Sequence, residues 1–154
     1  MLAAELSALS GVQVSEEPRI GRESGMRADL KISRDGKRWY LDVGITNAGT
    51  LANVNRGAHE KCAVAADVYF DAKIDKYASV LGGVKTDGLG RKYVDGFIPF
   101  VVETGGRIAP RSVEWLDKLT ADSPGVRRAC YRRISNVLSR TQGPMLSKYK
   151  DSVL

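Results

Sequence analysis

The chain of 154 residues has only two cysteines and one histidine, and that scarcity removes several function classes at once. Cys62 and Cys130 stand apart with no C-x-x-C spacing, so neither a zinc module nor a disulfide-stapled scaffold is expected. Each reads as a small buried apolar residue. His59 falls near a predicted helix start and reads as a surface or capping residue rather than a catalytic one. No apolar run approaches the ~18 residues that a membrane-spanning helix needs. The N-terminus, MLAAELSALSGVQVSEE, lacks the basic start and continuous apolar stretch of a secretory signal, so an intracellular location, cytoplasmic or nuclear, is the expectation. Internal repeats, low-complexity tracts, a P-loop, a dinucleotide fingerprint and a Ser-His-Asp arrangement are all missing.

What is present is an ordinary globular composition, 43% hydrophobic and 27% charged, in a length that suits one domain. We read residues 1–154 as a single unit with its core over about 2–121 and a basic helix over about 126–141. The formal net charge is +6. A basic surface favours a polyanionic partner, because each phosphate neutralised by Lys or Arg releases condensed counterions. A basic surface with no such partner is the alternative.

Residues 2–10 carry apolar positions at helical spacing and stop at Gly11, predicting a short helix. Residues 15–26 read as an irregular connection with a short strand around Arg19–Ile20. In residues 27–46, RADLKISRDGKRWYLDVGIT, Ala28, Leu30 and Ile32 alternate with polar residues, as do Leu41, Val43 and Ile45. Period-two alternation on both sides of Asp35-Gly36 predicts a hairpin with a two-residue turn. Residues 47–57 read as a loop, Ala58–Leu81 as a helix ending at Gly82-Gly83, and 84–95 as a loop or short excursion. Phe97–Thr104 reads as a buried strand whose Pro99 asks for a free edge or bulge. Helices are predicted at 111–121 and 126–141. A helix joining strands of one sheet gives an α/β fold with a mixed sheet flanked by helices.

The turn fixes a register in which paired residue numbers sum to 71, so Leu30 faces Leu41 and Asp29 faces Asp42. Ala28, Leu30, Ile32, Trp39, Leu41 and Val43 then share the core face, and the two aspartates share the other. Like charges opposed in this way are destabilising, and a cation between them reverses the sign. Mg²⁺ is typically held by one or two carboxylates with water and phosphate oxygens, so Asp29 and Asp42, with the Val43 carbonyl completing the set, are candidate metal ligands. Strand aspartates also sit on solvated faces balanced by neighbours, and Arg27 and Lys31 flank Asp29.

The arrangement resembles the PD-(D/E)xK, or restriction-endonuclease-like, nuclease superfamily, whose core runs helix, three strands, helix, strand (αβββαβ). Asp29 in RAD resembles the first acidic residue, with Ala28 in place of proline, and Asp42 in LDVGIT resembles the start of the tripeptide. More narrowly, RADL…LDVGIT, a helix ending AKIDKYA, and FIPFVVETGGR are similar to nuclease domains found beside reverse transcriptases in retroelement proteins, over about residues 27–120. The resemblance implies an Mg²⁺-dependent endonuclease, with Mn²⁺ able to substitute, acting on double-stranded or branched DNA. Where the superfamily usually has lysine, this chain has Gly44. Lys73 and Lys76 on the following helix are the implied substitutes, Lys73 preferred, with Arg27 and Lys31 behind them. The resemblance also marks Glu103 and Glu5 as possible accessory acids. Arg27 and Lys31, with Arg127, Arg128, Arg132 and Arg133 of the C-terminal helix (which also carries Arg140), are candidate nucleic-acid contacts. A homodimer would suit concerted cutting of two strands. The competing expectation is a non-catalytic DNA-binding module of the same fold, with Gly44 marking a lost lysine; a protein-interaction domain is a third.

Overall fold

The computed structural model describes residues 2–20, 25–58, 60–61 and 63–150, with the side chains of the last helix described through Leu138. His59, Cys62 and the Arg140 side chain, named above, lie outside the described residues. The elements run α1 (Ala3–Ser7), β1 (Gln13–Glu16), β2 (Leu30–Arg34), β3 (Lys37–Thr46), α2 (Leu51–Asn55), α3 (Val64–Leu81), β4 (Lys85–Thr86), β5 (Lys92–Tyr93), β6 (Phe97–Glu103), α4 (Pro110–Leu119) and α5 (Pro124–Lys150). Four strands form one mixed sheet in the order β1-β2-β3-β6, antiparallel except for the parallel β3–β6 pair, and β4–β5 form a separate small hairpin. The class is therefore α/β with a mixed sheet, and the main elements follow the order helix, three strands, helix, strand.

The β2–β3 hairpin forms in the register the turn dictates. Leu30 pairs with Leu41, Ile32 with Trp39 and Arg34 with Lys37. Asp35 and Gly36 both take positive φ (50° and 73°), the conformation a type I′ turn requires and one that Asp-Gly tolerates.

The strand β1 departs from the irregular connection expected there. Only Val14 packs against the core, and one inward side chain in four residues is too short a period-two signal to read. The strand proposed at Arg19–Ile20 is reduced to an isolated bridge between Arg19 and Arg27.

Two core clusters lie on opposite faces of the sheet. Leu30, Ile32, Leu41 and Phe100 pack with Leu2, Leu6 and Leu9 of the α1 region, with Trp115 and Leu116 of α4, and with Cys130, Ile134 and Leu138 of α5. On the other face Phe97 and Val101 meet Ala66, Phe70, Ile74 and Tyr77 of α3. The buried, free Cys130 is as the sequence predicts.

Helix boundaries differ more. α1 stops early, where Ser7 Oγ donates back to the Ala3 carbonyl at 2.8 Å and competes with helix continuation. The helix α2 occupies part of the expected loop, with Thr50 accepting from Asn53 N–H at its start. The helix α3 begins six residues later than predicted, because Ala63 sits at φ 62°, outside helical space. Its end is the expected one, a left-handed Gly82 with φ 96°.

Among the described strands β6 pairs with β3 alone, beside isolated bridges from Phe97 to Val94 and from Val102 to Ile108, and so lies at the sheet margin, the position Pro99 calls for. Its outer edge is covered locally. Ala109 N–H donates to the Val101 carbonyl, Glu103 N–H to the Arg107 carbonyl, and Ser112 Oγ to the Pro99 carbonyl. Covering an edge in this way blocks unwanted strand addition.

Candidate active site

β3 alternates its side chains across the sheet, so Leu41 and Val43 join the α1–α4–α5 cluster while Tyr40, Asp42 and Gly44 face α3. The α3 residues above them are Tyr69, Lys73 and Tyr77, spaced i, i+4, i+8 and so stacked along one helix face. Lys73 Nζ forms a short ion pair with Asp42 Oδ2, and the two side chains are only 10% and 13% exposed. The same ammonium lies 3.5 Å from the Val43 carbonyl and 5.1 Å from the Tyr69 ring centre.

Gly44 explains how Lys73 gets there. A Cβ at position 44 would lie 2.5 Å from Lys73 Cε, 2.6 Å from Tyr69 Cε1 and 3.2 Å from Lys73 Nζ. The space that a side chain at 44 would fill is occupied by the lysine coming from the helix. Gly44 is thus the cavity that admits the site cation, and a lysine is present beside Asp42 after all.

Asp29 is placed differently from the cross-strand expectation. The regular ladder stops at Leu30. The Asp29 N–H donates to the Leu41 carbonyl at 2.9 Å, one residue short of the partner the register assigns it, and its own carbonyl accepts from Glu17 N–H. This extra residue breaks the alternation, as a bulge does. Ala28 consequently packs in the α3 cluster rather than with Leu30 and Leu41, which corrects the face assigned to it above. The exposed Asp29 side chain turns along the sheet margin, where Oδ2 accepts from Val43 N–H at 2.6 Å. A surface cavity of about 390 Å³, lined by Leu2, Glu16, Glu17, Asp29, Leu30, Val43 and Ile45, opens beside it.

The aspartates are therefore neither directly opposed nor on one sheet face as expected, since Asp29 opens onto the side of Leu2, Leu30 and Val43 while Asp42 faces α3, but they remain neighbours along the backbone. Val43 N–H is bonded to the Asp42 carbonyl carbon, so Asp29 Oδ2 lies within about 5.5 Å of Asp42 Cα. Tyr77 senses both. Burial first, then the adjacent Asp42 carboxylate and the more distant Asp29, push its phenol up to about 12. Its hydroxyl donates to the Arg27 carbonyl at 3.1 Å, tying the segment that leads into Asp29 to the helix that carries Lys73.

These donors are hard oxygens: two carboxylates and the Val43 carbonyl, with Asp29 Oδ1 accepting no hydrogen bond from the described residues. Among the described residues no three His, Cys, Asp or Glu side chains converge on one point. An ion enclosed by protein ligands does not suit this set. Mg²⁺ does, because it keeps several waters and needs only one or two carboxylates.

The other candidates lie elsewhere. Lys76 is exposed, its Nζ 5.0 Å from the Tyr77 ring, and forms no ion pair with either aspartate. Glu103 is 2% exposed and pairs with Thr46, four residues or about 13 Å along β3 from Asp42. Its Oε1 accepts from Ala66 N–H at 3.2 Å, so it caps α3 from a distant strand. It also adds to the burial that holds the Asp67 carboxyl above its usual range. Glu5 lies across the sheet against α5, 3.9 Å from Arg133, with Oε2 buried and without a hydrogen-bond partner.

Of the proposed nucleic-acid contacts, Arg27 is exposed and 3.6 Å from Glu17, while Lys31 pairs across to Tyr40 and lies on the Asp42 side of the sheet. Arg127 lies 3.8 Å from Asp117, and Arg128, Arg132 and Arg133 are exposed. All four sit on α5, which packs on the opposite sheet face from Lys73.

Tyr69 and Tyr77 are the site neighbours that pattern reading undervalued. The signal was available in their spacing of four residues on either side of Lys73.

Neither a scan against protein-family models nor a search of curated proteins returns a match for this chain. Among the described residues no helix is long and apolar enough to cross a membrane.

Proposed function

We propose that the chain is a metal-dependent endonuclease on a restriction-endonuclease-like αβββαβ core, hydrolysing DNA phosphodiester bonds at Asp29, Asp42 and Lys73. The observation that carries the reading is Lys73 entering through the space left by Gly44 to meet the Asp42 carboxylate, beside an Asp29 carboxylate anchored on the next residue's N–H.

In this reading Asp29, Asp42 and the Val43 carbonyl hold Mg²⁺, with Mn²⁺ as substitute. When bound, such an ion polarises the phosphoryl group and lowers the pKa of a coordinated water. The protein's own groups do the rest. The Lys73 ammonium has three donors. One goes to Asp42, one lies at the limit of reach of the Val43 carbonyl, and one remains to orient a water or a phosphate oxygen. Its partial burial strengthens the interaction with developing negative charge, because screening by water is weaker there. Asp29 is exposed, leaving room for a backbone phosphate to approach. One such site cuts one strand, so concerted double-strand cleavage would take two copies of the chain.

The non-catalytic reading takes Gly44 as the mark of a lost lysine, and the Lys73–Asp42 pair favours the catalytic reading over it. Plasmid nicking in Mg²⁺ tests the proposal. Asp29→Ala and Asp42→Ala are each expected to lower the nicking rate at least a hundredfold, while far-UV circular dichroism confirms the fold. Activity equal to wild type in either variant excludes this mechanism.

A further inference from the structure

Tyr69 stands out because it belongs to neither core cluster. It is 38% exposed, yet its ring touches the position-44 cavity and stands over the Lys73 ammonium at the lip of the site. The residues Tyr69, Lys73 and Lys76 follow one another at i, i+4 and i+7, so one stripe of α3 presents an aromatic face, the site cation and an exposed cation over about 10 Å. A base-sized flat surface followed along the helix by the exposed Lys76 cation matches a nucleotide strand, in which a base is followed by a phosphate.

Resting on the nuclease reading above, we infer that Tyr69 stacks on the nucleobase next to the scissile phosphate, with Lys76 holding the following phosphate. A base inside a continuous duplex is stacked on its neighbours and cannot present its face to a side chain. The site therefore selects phosphodiesters flanked by an unpaired base, as in a flap, a bulge or a strand end, over uninterrupted duplex. Stacking on an aromatic ring accepts any base, so the selection is for strand geometry and not for sequence. An aromatic–base stack changes affinity on the order of tenfold.

The test uses the full chain and a duplex bearing a single-stranded flap, with 2-aminopurine beside the mapped cleavage position. Binding is read in the Asp29→Asn background, which prevents turnover. Fluorescence is expected to be quenched with Tyr69 or Tyr69→Phe, which keeps the ring, and restored with Tyr69→Leu. In the catalytically intact chain Tyr69→Leu is expected to raise KM for the flap about tenfold, and Tyr69→Phe to keep KM near that of wild type. If Tyr69→Leu lowers kcat at constant KM, or leaves the quenching intact, the ring merely steadies Lys73 and the inference is overturned. Cleavage by wild type with no flap preference overturns the inference alone. Absence of any Mg²⁺-dependent cleavage by wild type overturns the nuclease reading and this inference with it.

Discussion

The two faces of the sheet are built from different materials. On one, Leu30, Ile32, Leu41 and Phe100 meet leucines of the α1 region and the aromatic and aliphatic residues of α4 and α5, a contact of large apolar side chains. On the other, α3 brings Ala65, Ala66 and Ala78 with Phe70, Ile74 and Tyr77, and the middle of the contact is given over to Asp42, Gly44 and Lys73. Large hydrocarbon gives stability and leaves no room. Small residues and a glycine let the helix lie close enough for a lysine to reach a strand carboxylate, at the expense of apolar burial. The first face carries the large apolar contact and the second the Lys73–Asp42 pair, so substitutions on each should fail in different ways.

The largest stability effect is expected on the apolar face. Phe100 is fully buried, and Phe100→Ala removes a ring from close-packed surroundings, costing about 3–5 kcal/mol in urea unfolding. Below the unfolding transition its Mg²⁺-dependent nicking should stay within a fewfold of wild type. The reverse is expected of Gly44→Ala. The added methyl collides with Lys73 Cε and Tyr69 Cε1, both of which belong to side chains able to move, so unfolding free energy should fall by only about 1–3 kcal/mol. Moving Lys73 off Asp42 should nonetheless cut nicking by at least tenfold. If Gly44→Ala retains full activity, the position-44 space has no bearing on the site and the contrast between the faces loses its functional meaning.

The legible parts of the molecule were those set by local chemistry. Asp35-Gly36 supplied the positive φ of the turn, and the alternating apolar residues on either side fixed the register as far as Leu30. Asp42 followed directly. Asp29 was found as a residue but misplaced as a geometry, because its bulge depends on Glu17 bonding its carbonyl and on Val43 bonding its carboxylate, partners supplied by the fold. The start of α3 was illegible for the same reason, since its cap is Glu103, 37 positions beyond Ala66. β1 was hidden by having one inward residue. The missing lysine at Gly44 was legible along the strand and the resemblance named Lys73 as its substitute, but the space at position 44 through which Lys73 enters is visible only with the helix lying above it. The candidate acids Glu103 and Glu5 illustrate the converse, with buried carboxylates engaged in helix capping and in the α1–α5 contact.

The smallest effect separates the faces by titration. Tyr77 and Tyr131 are both pushed up to about 12, mainly by burial in each case. The second contribution differs. Tyr77 has Asp42 beside it, whereas Tyr131 has Asp117, to which its hydroxyl donates at 3.1 Å. An unfolded tyrosine loses its proton near 10, so in each case the folded chain holds the proton more tightly over the window from about 10 to about 12. The associated stability is fully present below pH 10 and is lost as pH rises through 12. Tyr77→Phe should cost about 1 kcal/mol at neutral pH, for the bond to the Arg27 carbonyl, and flatten part of that alkaline loss. Asp42→Asn should lower the midpoint of the Tyr77 phenolate absorbance and leave that of Tyr131 unmoved. Equal movement of both midpoints would mean that the carboxylate acts on the molecule as a whole rather than on the α3 face alone.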